Sequence, residues 1–117
     1  ISQTLILPAL YSVLAERALL VSLVKPQFEA GREKVGKKGV VRDPRVHLEV
    51  LEHFQEHAVQ AGFTVKAMDF SPIRGPEGNI EYLGFLQKGA ETTAAFDLDA
   101  LVEESHQTLK EHGEGTV

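Results

Sequence analysis

The sequence contains no cysteine among its 117 residues. The chain therefore has no disulfide framework, no thiolate nucleophile and no cysteine-ligated zinc. This composition agrees with a reducing compartment, and we expect the protein to be cytoplasmic.

The sequence also lacks an uninterrupted hydrophobic run long enough to cross a membrane. The longest apolar stretch, residues 5–24, contains Pro8 and is broken by Glu16 and Arg17. Neither half could span a bilayer core of about 30 Å. We therefore predict no transmembrane segment and no membrane partner, and no signal peptide is evident. Because Ile1 stands in place of methionine and apolar residues begin at once, we expect the chain to be part of a longer protein.

Positive charge is scarce overall but concentrated in one segment. Hydrophobic residues make up 43% and charged residues 25% of the chain, which is typical of one globular domain. The net charge of −5 argues against general coating of nucleic acid. Residues 25–43, however, carry a charge of +3 and the remainder −8. The basic residues of this segment are Lys25, Arg32, Lys34, Lys37, Lys38 and Arg42. Such a segment on an acidic body could bind a polyanion locally.

The hydrophobic pattern predicts alternating helices and strands. A helix beginning near Ser2 or Thr4 should run to about residue 14, followed by a strand over residues 18–24 that is apolar on both faces, as in a central strand. Residues 26–43 show no sustained period and predict a long surface loop. Asp43 and Pro44 then provide a helix N-cap and first turn, and Gly62 a helix stop.

The second half of the sequence predicts two strands and a last helix. Residues 63–70 and 80–86 have strand composition, and the short connection between them, rich in proline and glycine, predicts antiparallel neighbours. Residues 97–112 predict an amphipathic helix. The fold class is therefore α/β, and three strands with one crossover indicate the back half of a larger doubly wound sheet.

Two charged residues occupy positions where such folds place their chemistry. Lys25 follows a buried strand, and Glu81 follows the turn that contains Gly75, Pro76 and Gly78. We expect them at the two ends of one sheet region. A lysine in a partly dry site can act as a base, and a carboxylate can orient it. A structural ion pair, or two unrelated surface charges, would explain the same pattern.

Histidines provide weaker candidates. His53, Glu56 and His57 match the pattern H-x-x-E-H of some zinc proteases, but a catalytic zinc needs a third protein ligand, so an exposed helix flank is the default and no metal is predicted. His47 lies on the apolar face of its helix. We predict that it is buried and hydrogen-bonded, tying the basic segment to the helix start.

Longer stretches of the sequence resemble a known family. They are Thr4-Leu5-Ile6-Leu7-Pro8, Val24-Lys25-Pro26-Gln27-Phe28-Glu29-Ala30-Gly31-Arg32-Glu33-Lys34-Val35-Gly36, Gly39-Val40-Val41-Arg42-Asp43-Pro44, Phe70-Ser71-Pro72-Ile73 and Gly75-Pro76-Glu77-Gly78-Asn79-Ile80-Glu81. Together they resemble the TlyA (haemolysin A-like) family of FtsJ-type, S-adenosylmethionine-dependent ribosomal RNA 2′-O-methyltransferases. The resemblance spans residues 2 to about 86.

The resemblance implies a Rossmann-like methyltransferase fold with a catalytic Lys-Asp-Lys-Glu tetrad, whose last two members fall on Lys25 and Glu81. Residues 1–88 would form the C-terminal part of the methyltransferase domain, and residues 89–117 its last helix and tail. The other tetrad members, the glycine-rich S-adenosylmethionine loop and a small RNA-binding domain are expected before Ile1. No cofactor-binding residue is therefore assigned to this chain, and alone it is expected to be inactive.

The same resemblance implies ribosomal RNA or ribosomal subunits as partners. Five basic residues would hold RNA phosphates, which raises affinity rather than sequence choice. They are Arg32, Lys34, Lys37, Lys38 and Arg42. Self-association through an exposed sheet edge is a further expectation. The alternatives are a non-catalytic RNA-binding or assembly module and, from the family's haemolysin label, a membrane-lytic protein, which the composition disfavours.

Overall fold

The computed structural model describes residues 3–36, 39–89 and 96–115, with side chains for residues 6–31, 33–36, 39–75, 77–89 and 96–109. The chain is an α/β structure with three strands and four helices among these residues. The elements are α1 (Gln3–Val13), β1 (Leu19–Val24), α2 (Pro26–Glu29), α3 (Pro44–Gln60), β2 (Phe63–Phe70), β3 (Tyr82–Lys88) and α4 (Leu98–Gly115). Short 3-10 turns lie at Arg32–Lys34 and Pro76–Gly78.

The three strands form one sheet in the order β1-β3-β2, and β3 runs antiparallel to both neighbours. This confirms the predicted antiparallel pairing of the last two strands. The apolar pattern of β1 predicts a central strand covered on both faces, but among the described residues β1 lies at the edge of the sheet, in agreement with the expected exposed edge. Its burial alternates accordingly: Leu19 is 76% and Val21 61% exposed, whereas Val24 is buried.

Helix α3 forms where local signals predict it. The Asp43 side chain accepts a hydrogen bond of 2.9 Å from the Arg45 backbone N–H and Pro44 begins the first turn. The helix ends before Gly62, whose φ of 103° suits a residue without a side chain. Its apolar face packs against β2 and β3, and Gly84 leaves room for the Phe54 ring at the closest approach.

The described parts of residues 26–43 contain more helical structure than the long surface loop that the sequence predicts. The segment begins with α2 and continues through the 3-10 turn. It ends with Val40 and Val41, which are 6% and 2% exposed and belong to the buried apolar residues. The prediction missed this packing because glycines and charges obscure two short apolar anchors.

Lys88 connects the first helix to the sheet. Its ammonium donates hydrogen bonds of 2.7 Å to the carbonyls of Tyr11 and Leu14, near the end of α1. Carbonyls at the end of a helix lack intrahelical partners, so the buried lysine satisfies them. Among the described helices, none is both long enough and apolar enough to cross a membrane.

Candidate functional site

Lys25 and Glu81 occupy matching positions at one edge of the sheet. In the antiparallel register of β1 and β3, the last pair is Val24 with Tyr82. Lys25 follows the first of these residues and Glu81 precedes the second, so both lie next to the last pair of the ladder. The end of β1 and the start of β3 therefore lie at the same end of the sheet, whereas the sequence predicted Lys25 and Glu81 at its two different ends.

Glu81 is held in a fixed, buried position. The residue is only 6% exposed. Its Oε2 accepts a hydrogen bond of 3.0 Å from the Gln27 side-chain amide, and its backbone carbonyl accepts one of 2.8 Å from the Ser71 N–H. Gly75 lies directly against the carboxylate, leaving no space for a Cβ. A charged group that is buried and hydrogen-bonded in this way is oriented for interaction with whatever binds beside it.

Lys25 remains more accessible. It is the N-cap residue of α2 with extended backbone angles, and its side chain is partly buried. The Nζ atom lies 5.8 Å from the centroid of the Phe28 ring. Within the described part of the chain, no ion pair joins Lys25 to Glu81. The simple structural ion pair is therefore not what the structure contains, and the partly buried amine is not engaged by Glu81.

The predicted RNA-binding residues fall into three groups. Arg42 is exposed, immediately before the N-cap of α3. Lys34 is exposed and forms an ion pair of 2.6 Å with Glu49, and this hydrogen bond raises the pKa of Lys34. The backbone of Arg32 lies in the 3-10 turn, whereas Lys37 and Lys38 lie outside the described residues.

Asn79 fastens the basic segment to the turn before Glu81. Its Oδ1 accepts a hydrogen bond of 3.0 Å from the Val41 N–H, and its Nδ2 donates one of 2.9 Å to the Gly39 carbonyl. The side chain is 2% exposed. One buried amide thus joins Gly39 and Val41, near the end of the basic segment, to the turn before Glu81.

His47 is buried and hydrogen-bonded, as predicted, with 1% exposure. Its Nε2–H donates to the Val41 carbonyl at 2.9 Å, so the neutral ring presents Nδ1 as an acceptor. The His106 Nε2 lies 2.8 Å and the Tyr82 hydroxyl 3.2 Å from that atom. Burial lowers the pKa of His47 to about 4, with a smaller contribution from His106. This ring ties the basic segment to α3 and α4 as a neutral structural group.

The H-x-x-E-H residues do not form a cluster of ligands. His53 is exposed and His57 half-buried on the flank of α3, with ring centroids 6.2 Å apart. Across the residues that the structure describes, no group of three His, Cys, Asp or Glu side chains could hold a metal ion.

Sequence reasoning missed three residues that shape the site: Gln27, Gly75 and Asn79. Their partners are 54, 6 and about 40 positions away in the sequence. The contacts of Gln27 and Asn79 are long-range and leave no local pattern, and the close approach of Gly75 to Glu81 depends on the path of the turn between them. The Pro-Gln step after Lys25 and the Gly-Pro step before Glu81 are the signals nearest to them.

The family is shown by the chain's similarity to known proteins. Residues 1–88 match the model of the FtsJ-like methyltransferases. The chain is 48% identical over 117 residues to a Bacillus subtilis protein named "Putative rRNA methyltransferase YqxC", covering 95% of the chain and 41% of that protein. It is 36% identical over 111 residues to the Mycobacterium tuberculosis "16S/23S rRNA (cytidine-2'-O)-methyltransferase TlyA", again covering 95% and 41%. The chain belongs to the FtsJ-like methyltransferase family.

Solved structures agree with this assignment. A Streptococcus thermophilus structure titled "Putative hemolysin" superposes with a TM-score of 0.92 at 45% identity, covering 97% of this chain and 42% of that one.

A further relative by sequence carries a haemolysin name. The Brachyspira hyodysenteriae protein named "Hemolysin A" is 40% identical over 83 residues, covering 71% of this chain and 35% of that protein. The chain spans 41% of the length of each of these two methyltransferase relatives.

Proposed function

We propose that this chain supplies a catalytic amine and carboxylate for S-adenosylmethionine-dependent 2′-O-methylation of ribose in ribosomal RNA. The observation that carries the proposal is the register of β1 and β3, whose last pair, Val24 with Tyr82, lies next to Lys25 and Glu81 in the sequence. Membership of the FtsJ-like family and the relatives' rRNA methyltransferase names support the reaction class. Ribosomal RNA as the substrate supports a cytoplasmic location for the protein.

The residues at the sheet edge suit removal of a hydroxyl proton. A ribose 2′-hydroxyl becomes a good nucleophile only as its proton leaves. A neutral Lys25 amine accepts that proton at Nζ and becomes an ammonium ion, which the Glu81 carboxylate stabilises and orients. Because Glu81 is already fixed by Gln27 and Gly75, little reorganisation is needed when charge develops.

The residues of this chain do not fit a complete cofactor site. The sequence has no G-x-G-x-x-G pattern between a strand and a helix, the turn that commonly holds such a cofactor. S-adenosylmethionine would supply the methyl group, and the residues that hold it are expected outside this chain. No cofactor-binding residue is assigned here, and the chain alone is expected to be inactive.

The basic segment would hold RNA phosphates beside the site. Arg42 and Lys34 are exposed, and Asn79 fixes the end of the segment against the turn that leads to Glu81. Together with Arg32, Lys37 and Lys38 they would give affinity that falls with salt. For Lys34, RNA phosphate would compete with Glu49.

The test is Lys25→Ala in the longest natural protein that contains this chain, assayed for transfer of labelled methyl groups to ribosomal RNA. Loss of a general base costs about 100-fold to 10,000-fold in rate. Lys66→Ala, at an exposed lysine on β2, is the matched control and should keep its activity. Methylation by Lys25→Ala at a near wild-type rate would exclude the assignment.

A second candidate function is a non-catalytic RNA-binding or assembly module, favoured by the basic segment and the absent glycine-rich pattern. Calorimetry on this chain tests where the cofactor is held. RNA binding without S-adenosylmethionine binding agrees with both candidate functions. Tight cofactor binding by the chain alone contradicts the proposal that the cofactor-binding residues lie outside it. A membrane-lytic role, suggested by the "Hemolysin A" name of one relative, would require leakage of liposomes at low protein concentration.

We also propose that the outer side of β1 associates with another strand, either of a longer polypeptide or of a second copy. Within the sheet of described residues, β1 has a strand on one side only. Leu19, Val21 and Phe28 are 76%, 61% and 60% exposed beside it. Exposed apolar side chains on an edge strand favour pairing with another chain.

A further inference from the structure

Gln27 contains a buried polar atom that nothing satisfies. Its side-chain oxygen Oε1 is inaccessible to solvent and has no hydrogen-bond partner among the described residues. Leaving a buried acceptor unpaired costs about 1–3 kcal/mol. Native proteins keep few such atoms, and each calls for an explanation.

The other half of the same amide fixes which atom is free. Its Nε2 donates to Glu81 Oε2 at 3.0 Å. A carboxylate accepts hydrogen bonds and cannot donate them, so turning the amide over would set two acceptors against each other. The unsatisfied atom is therefore the oxygen, and its missing partner is a hydrogen-bond donor.

Lys25 is the donor that begins the same short helix. Within the described residues its ammonium has no hydrogen-bond or ion-pair partner, and its Nζ lies 5.8 Å from the centroid of the Phe28 ring. An ammonium has three donors and no acceptor. Lys25 lies two residues before Gln27 and is therefore the neighbouring donor in the sequence that could pair with Gln27 Oε1.

We propose that Gln27 is a positioning residue that joins Lys25 to Glu81. Its amide N–H group orients the carboxylate, and its amide oxygen accepts a hydrogen bond from the Lys25 amine when the site is engaged. Gln27 touches neither the ribose nor the methyl group and acts through the two charged residues. This inference rests on the methyltransferase function proposed above.

A double-mutant cycle tests the inference in the longest natural protein that contains this chain. Gln27→Leu, Glu81→Gln and the double variant are compared for kcat and for the KM of ribosomal RNA. Gln27→Leu should lower kcat about 10-fold to 100-fold, because misplacing catalytic groups by about 1 Å has effects of this size. The KM should stay within about twofold, since Gln27 holds no phosphate.

The expected sign of coupling is non-additivity. With Glu81 already replaced, the Gln27→Leu change should cost less than about twofold more, because residues that act as a unit are not additive. Gln27→Glu, nearly identical in shape but without a donor, is a second variant should the leucine variant fail to fold. Gln60→Leu, on the exposed side of α3, is the matched control and should leave kcat unchanged.

The outcomes separate the two proposals. Equal losses from Gln27→Leu in both backgrounds, or an unchanged kcat, would overturn the positioning role while leaving Lys25 and Glu81 in place. Full activity of Glu81→Gln alone would instead overturn the proposed function, and with it the role of Gln27.

Discussion

Gly75 lies against the carboxylate of Glu81, so closely that a Cβ on residue 75 would overlap Oε2. The two residues belong to opposite sides of the turn between β2 and β3. The Gly75 N–H donates a hydrogen bond of 2.7 Å to the Asn79 carbonyl, which holds the backbone in this position. The turn therefore holds the buried carboxylate at the end of the sheet where Lys25 also lies.

Gly75→Ala should displace Glu81 and reduce methylation. The added methyl group meets a carboxylate that is buried and hydrogen-bonded, so the cost in free energy of unfolding should be about 1–3 kcal/mol. Thermal or urea denaturation measures the stability, and methyl transfer measures the activity. Gly89→Ala, at the far end of β3, is the comparison: the φ of 144° strains any side chain there but nothing lies against the added Cβ, so stability should fall without loss of methylation. Loss of stability in both variants with unchanged methylation in Gly75→Ala would contradict this account.

Stability should fall between about pH 6.5 and pH 4 because of His47. Burial lowers the pKa of this histidine from 6.5 to about 4, so below pH 6.5 the unfolded chain binds a proton that the folded chain does not. The stabilisation by the neutral ring is complete above pH 6.5 and is lost as the pH falls towards 4. At 1.36 kcal/mol per pKa unit the loss amounts to about 3 kcal/mol. Burial, followed by the charge of Arg74, also lowers the pKa of His106, in the same direction.

Urea denaturation at a series of pH values measures this effect. His47→Gln should flatten the pH dependence, although its stability at neutral pH will be lower because the hydrogen bond to Val41 changes. His53→Gln, on the exposed flank of α3, should keep the wild-type slope. An identical slope in His47→Gln and the wild type would refute the assignment to His47.

How much of this structure was predictable from the sequence depends on the range of the interactions involved. Helix α3 was predicted accurately because Asp43, Pro44 and Gly62 act within a few residues of its ends. The strand β2 was predicted at its observed bounds, and its antiparallel pairing with β3 follows from the short connection. An exposed sheet edge was expected, but the apolar pattern of β1 indicates a central strand, because an apolar strand of this length fits a centre or an edge equally well.

The site divides in the same way. Lys25 and Glu81 were identified from their positions beside a strand and a turn, and the structure places them next to the last pair of β1 and β3. Gln27 lies in the stretch from Val24 to Gly36 that carries the family resemblance, but its contact with Glu81 spans 54 positions and depends on the path of two separate turns. The segment 26–43 was misjudged as a loop because Val41 is buried and donates a backbone hydrogen bond to the distant Asn79 side chain, a contact that no local pattern encodes.

Replacement of Arg42 should weaken RNA binding in a way that depends on salt. If Arg42 contacts a phosphate, Arg42→Gln should lower the affinity at low salt and reduce the slope of log K against log salt by about 1. Lys34→Gln should have a smaller effect, since Lys34 must first leave Glu49. Filter binding or fluorescence anisotropy at several salt concentrations gives both slopes. Lys66→Gln on β2 is the control, and a loss in that variant equal to the loss in Arg42→Gln would show only a general charge effect.

Val21→Lys should suppress association through the outer side of β1. Val21 is 61% exposed on the edge strand of the described sheet, so a lysine there costs little in the isolated chain but opposes burial against a partner. Sedimentation velocity of the 117-residue chain should show self-association that Val21→Lys removes. Val59→Lys replaces a valine that is 48% exposed on α3 and provides the matched control. If both lysine variants dissociate the chain equally, or neither does, the contact does not lie along β1.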